Sequence, residues 1–145
     1  MKSEPDVFSI ETLRIKKTSG WDGVRNYQAR NYMRDEMKKG DMVLFYHSSC
    51  EIPGVAGLCK ISQESHPDPT QFDPNSDYYD PKATKDNPRW FMVEVEFVEK
   101  FSNVITLQTL KGIKTLEQMP LVQKGSRLSI NSVSEKEYKT IMQLK

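Results

Sequence analysis

The chain has 145 residues, of which 37% are apolar, 28% charged and 10% aromatic, enough to bury a core within one soluble domain spanning residues 1–145. Two cysteines, Cys50 and Cys59, make no disulfide framework, which points to a reducing compartment, cytoplasmic or, in a eukaryote, nuclear. No apolar run approaches the roughly 20 residues of a membrane span, the first residues show no charged start followed by an apolar run as in a signal peptide, and the net charge of +1 favours no partner by itself.

The charge is unevenly spread: residues 49–88 carry three Lys/Arg against seven Asp/Glu, while both flanks are net basic. Flanks that meet in the fold would make a positive face; otherwise they are ordinary solvated surface.

Residues 8–17 read as a short helix, with Ser9 as N-cap and Phe8 placed to staple against Leu13. A loop follows in which Gly20 and Gly23 bracket Trp21. Asn26 can cap a second helix with Ala29, Tyr32, Met33 and Met37 on one face, closed by Lys38-Lys39-Gly40. Asp41–Ser49 alternates as a strand, Val43, Phe45 and His47 on one face and Met42, Leu44, Tyr46 and Ser48 on the other. A turn at 51–54 leads into Val55–Ser62 as its antiparallel partner, where Gly54 and Gly57 predict a bulge or a close approach by another group.

Residues 65–88 form a long loop with five prolines, five aspartates and the aromatics Phe72, Tyr78 and Tyr79, expected to pack on something. Trp90–Phe101 is the clearest strand, Phe91, Val93, Val95 and Phe97 inward and Glu94 and Glu96 outward. Residues 104–119 fit either a short strand or a helical turn around Leu107 and Leu110. Arg127–Val133 reads as a strand. Ser134 and Glu137 form a capping box, stapled by Val133 and Tyr138, for a last helix reaching Leu144. The pattern is α+β around a small curled sheet or barrel, with Phe45, Phe91, Val93, Val95 and Ile130 in its core.

Candidate chemistry is sparse. No CxxC or HxxxH spacing supports a metal, and Asp73–Asp77 starts like a calcium loop but lacks the later Gly and Glu. His47 and Cys50 could face each other across a turn as a dyad, with no third group to orient them. Trp21, followed by Arg25, Asn26 and Tyr27, is either a lid on the core or a stacking platform for a base.

The ordered segments Lys2-Ser3-Glu4-Pro5, Trp21–Asn31, Phe45-Tyr46-His47-Ser48, Pro53–Gly57, His66–Phe72, Tyr79-Asp80-Pro81, Asn87–Trp90 and Arg127–Ile130 resemble the EVE domain family of the PUA-like superfamily. Family members usually carry a few apolar residues before Lys-Ser-Glu-Pro, so a short first strand is expected. The resemblance implies a β-barrel of about five to six strands with flanking helices, similar to YTH domains. It implies a non-enzymatic reader of a modified or flipped nucleobase, modified cytosine in DNA foremost, acting without cofactor or metal and as a monomer. Its carried-over pocket comprises Lys2, Ser3, Trp21, Asn26, Tyr46, His47, Ser48 and Trp90, with Arg25, Arg30 and Arg89 on phosphate. The alternatives are an RNA-binding accessory to a processing or modification system, or a small-molecule pocket or enzyme using His47 and Cys50.

Overall fold

The computed structural model describes every residue, Met1–Lys145. One mixed sheet organises it. Its strands are β1 (Lys2–Ser3), β2 (Thr18–Gly20), β3 (Met42–His47), β4 (Gly54–Pro67) and β5 (Phe91–Thr106), in the spatial order β1-β3-β4-β5-β2. β1 runs parallel to β3, and every other pair is antiparallel. The helices are α1 (Ile10–Lys16), α2 (Tyr27–Asn31), α3 (Leu107–Lys111) and α4 (Glu135–Met142). No helix is long and apolar enough to cross a membrane.

The alternation in β3 splits as the sequence predicts, but both faces are buried. Val43 and Phe45 join a core with Leu13, Ala29 and Met33 from α1 and the α2 region. Leu44 and Tyr46 join a second core with Leu110 and Ile141 from α3 and α4. A strand packed on both sides needs no polar face, which is why β3 reads as a nearly continuous apolar run.

Bulges in β4 and β5 keep this two-sided packing in phase. In β4, Val55 and Leu58 face the second core while Ala56, Cys59 and Ile61 face the first, so the facing pattern changes parity at Gly57. The register slips there against both neighbours, by one residue against β3 and by three against β5. A Cβ on Gly57 would run into the Glu99 carbonyl, and one on Gly54 into that of Ile105, so both glycines mark the close approach of β5. In β5, Val93 and Val95 face the first core and Phe101 and Ile105 the second, with Val98 as the extra residue where Cys59 opposes Phe97 and Leu58 opposes Glu99.

The caps hold where the sequence places them. Ser9 accepts from the Thr12 amide, Asn26 from Ala29, and Ser134 and Glu137 form the reciprocal box. Several boundaries move. Helix α1 begins only at Ile10, and α2 passes into a π-helical turn at Tyr32–Glu36. β4 extends to Pro67, shortening the long loop at its start. Residues 104–106 complete β5 and Leu107–Lys111 is helical, so both readings of that region hold in part. α4 stops at Met142.

Two expectations are corrected. The sheet is not closed into a barrel, because Arg127–Val133 is not a strand: its backbone gives the sheet one hydrogen bond, Lys2 N to Ser129 O at 2.8 Å. The edge strands β1 and β2, two and three residues long, are too short to close a cylinder. Four of the five expected core residues are buried, but Phe91, first in its strand, is half-exposed beneath the Arg34 guanidinium.

Val95 is fully buried in the first core. Val95→Ala is expected to lower unfolding free energy by about 1–3 kcal/mol, seen as a lower urea midpoint at unchanged slope.

Candidate functional site

A cleft of about 800 Å³ opens between β1, the segment before α1, the Ser19–Asn26 loop and the tip of the long loop. Its walls include Lys2, Ser3, Phe8, Lys16, Trp21, Asp22, Gly23, Arg25, Asn26, Tyr78 and Met92. A second groove, about 650 Å³ and more apolar, lies between β3 and α4 and holds none of the expected site residues.

Short polar side chains in the cleft are oriented by bonds to backbone. Ser3 Oγ donates to the Phe8 carbonyl at 2.6 Å, which leaves its lone pairs to accept from a ligand. Asn26 Oδ1 accepts from the Ala29 amide at 3.0 Å, so the cap of α2 aims the amide's two remaining donors outward. Burial, then the charge of Asp68, pushes the Asp22 carboxyl above its ordinary range. Burial lowers the Lys2 ammonium. Trp21 is only 9% exposed and meets Phe8 and Phe45 edge-on at 6.3 and 5.6 Å. It is core and cleft wall at once.

The loop that carries Trp21 is tied to the long loop by one ion pair. Asp68, fully buried, lies 3.1 Å from Arg25 Nη1. Its Oδ2 also accepts from the Gly23 amide and its Oδ1 from the amide and hydroxyl of Thr70. Burial alone would raise this carboxyl; the donors of Thr70, Gly23 and Arg25 outweigh it and hold Asp68 below its ordinary 3.8. Arg25 spends all five N–H groups inside the protein, on Tyr78 O twice, Val24 O, Asp68 and Thr70 Oγ1. In this arrangement it has none left for phosphate.

Other expected residues sit outside the cleft. Tyr46 is buried in the second core, and the Ser48 amide donates to Ser3 O. His47 Nε2 accepts from the Ile10 amide at 3.1 Å. Burial, then Lys100, lowers its pKa, and the lone pair a general base would use is occupied. Cys59 is inert, its thiol pushed up to about 12 by burial. No group of three or more metal-ligating side chains forms. Trp90 anchors the long loop: its indole donates to Asp80 at 2.8 Å, and Gln71 bonds its backbone N and O. Tyr27 stacks on Trp90 at 4.8 Å. Arg30 donates to the Arg89 carbonyl, and Arg89 lies 3.6 Å from Asp80.

The sequence assigns none of Lys16, Asp22, Gly23, Tyr78 and Met92 to the pocket, although Gly23 brackets Trp21 and Tyr78 is among the loop aromatics expected to pack on something. The long loop's tip reaches the cleft through the buried anchors Asp68 and Gln71, and no local pattern marks that reach.

An open mixed sheet covered on both faces, with a polar and aromatic cleft walled by β1, the Trp21 loop and a long β4–β5 connection, defines a small α+β domain. Residues 1–144 match the EVE domain, and the chain belongs to that family. It is similar to thymocyte nuclear protein 1 of Homo sapiens, 44% identical in an alignment that covers 99% of this chain and 72% of that protein. A crystal structure of a Pseudomonas syringae protein matches with TM-score 0.95 at 51% identity, covering 99% of this chain and 96% of that one. Human THYN1 protein, solved in complex with 5-methylcytosine-containing DNA, matches with TM-score 0.92 at 44% identity, covering 99% and 94%.

Removing one partner of the buried pair should be costly. Asp68→Asn is expected to lose roughly 3 kcal/mol at neutral pH, the low end for such a break because Arg25 keeps some contact with water. Because the folded pKa of Asp68 is depressed, its contribution is present above the ordinary 3.8 and lost as pH falls through the folded value. Parallel denaturation of parent and variant should show their difference shrinking as the solution is acidified below about pH 4.

Proposed function

We propose that this chain is a nucleic-acid-binding domain that takes one modified or flipped nucleobase, modified cytosine in DNA foremost, into the cleft between Ser3 and Asn26. The observation that carries the reading is the cleft itself: Lys2 and Ser3 from β1, Trp21, Arg25 and Asn26 from the loop before α2, and Tyr78 from the long loop wall one cavity. It is supported by a relative of the same family, 44% identical, solved with 5-methylcytosine-containing DNA.

The polar complement suits a base with an exocyclic amine. Ser3 Oγ and the Asp22 carboxylate accept, which an amino group needs; the Asn26 amide donates, which a ring nitrogen or carbonyl needs. Cytosine presents that mixture along one edge. Met92 and Val24 offer apolar contact of the kind a methyl substituent uses. Extruding a base costs a few kcal/mol and stacking returns roughly 1–3, so edge hydrogen bonds and phosphate contacts must supply the surplus. Lys2 and Lys16 at the cleft are the cations placed for phosphate. With a net charge of +1, affinity rests on the cleft rather than on a broad basic surface. The occupied lone pair of His47 speaks for binding rather than catalysis.

Fluorescence-anisotropy titration of matched oligonucleotides, with and without 5-methylcytosine, tests the reading. Tighter binding of the modified strand is expected, with a shallow salt dependence of one or two phosphate contacts. Equal binding of both strands would overturn it, and stronger binding of RNA of the same sequence would favour an RNA-binding accessory. Asn26→Asp provides a sharper probe, since the carboxylate still caps α2 but cannot donate. It should leave the melting temperature nearly unchanged and weaken modified-strand binding about tenfold, the worth of one buried hydrogen bond.

A further inference from the structure

We infer that Tyr78, at the tip of the long loop, supplies the accessible stacking face for the base that enters the cleft, with Trp21 as the fixed wall beside it. The inference deepens the base-reading proposal and rests on it. A π-face can receive a base only where solvent can reach it. Of the three aromatic residues that wall the cleft, Trp21 is 9% exposed and wedged edge-on between Phe8 and Phe45, and Phe8 is half-buried. Tyr78 is 44% exposed. Its accessibility therefore exceeds that of the tryptophan by a wide margin.

The ring is also held in place. It lies against Gly23, whose φ of +78° and missing Cβ let the ring come down on the backbone; a Cβ there would sit 2.7 Å from the ring. Arg25 donates to the Tyr78 carbonyl from both Nε and Nη2, at 3.1 and 2.8 Å, and its guanidinium lies 5.5 Å from the ring centroid. Arg25 is in turn fixed by buried Asp68. An exposed tyrosine in an unstructured loop tip would lose affinity to the cost of ordering it. Here that ordering is already built into the fold. Arg25 is thus a positioning residue for Tyr78.

The test uses the full chain, Tyr78→Phe and Tyr78→Leu, and two oligonucleotides, one with 5-methylcytosine and one abasic at the same position. Thermal melts first establish that both variants fold as the parent does, which the exposure of the ring leads us to expect. Tyr78→Phe should bind the modified strand within about threefold of the parent, because the ring is kept. Tyr78→Leu keeps bulk without a π-face and should weaken it about 5- to 150-fold, the range of one stacked base. On the abasic strand, parent and Tyr78→Leu should bind alike. A leucine variant that binds the modified strand as the parent does, or loses equally on the abasic strand, would overturn the stacking role and leave the base-reading proposal standing. A parent that fails to prefer the modified strand would overturn both.

Discussion

The cleft depends on a carboxylate that water does not reach. Asp68 sits fully buried where β4 ends, and it survives there charged because four donors converge on it. Each donor belongs to a segment that would otherwise be free to drift: Gly23 and Arg25 to the tryptophan loop, Thr70 to the start of the long connection. An apolar pair of the same size would hold these segments with less directional control, since dispersion has no preferred angle. The hydrogen bonds fix where the backbone of Gly23 lies, and so where the cleft's lip can be.

Beneath that lip the sheet provides stiffness. Both faces are covered, one by the α1 and α2 region and the other by α3 and α4, so the strands cannot flex toward either side without opening a packed core. Trp21 belongs to the first core and to the cleft wall, and its amide extends the edge pairing by donating to Val93 O at 2.8 Å. The cleft is therefore an outgrowth of the first core alone. The second core contributes no wall residue to the cleft, and its role is to hold β3, β4 and β5 in register from behind.

Much of this was legible in the sequence, and the reasons are local. Ser9, Asn26 and the Ser134/Glu137 box announce helix starts because capping is a three-residue interaction. Val93 and Val95 announce a buried face because strand alternation is strict over a few residues. What failed was non-local. Arg127–Val133 has the composition of a strand, but whether it pairs depends on a partner at the sheet edge, and β1 is only two residues long. Tyr46 reads as a pocket residue by position in a motif, yet a second core behind the sheet claims its side chain. Arg25 reads by the resemblance as a phosphate contact, and only the fold reveals that Asp68, distant in sequence, has engaged it. The parity changes at Gly57 and Val98 were half visible: glycine flags the first, and nothing in the residue types flags the second.

The long connection between β4 and β5 bears on how the molecule reaches this state. The two longest strands are joined not by a tight turn but by residues 68–90. Closing a loop of that length, rather than a two-residue turn, costs about 2 kcal/mol more in chain entropy. The contacts that repay it, the β4–β5 ladder and the Asp68 cluster, are themselves non-local. Such a chain must search before it is rewarded, and its folding should be slow for its size. The segment that anchors the cleft's lip through Asp68 is the one whose closure sets that pace.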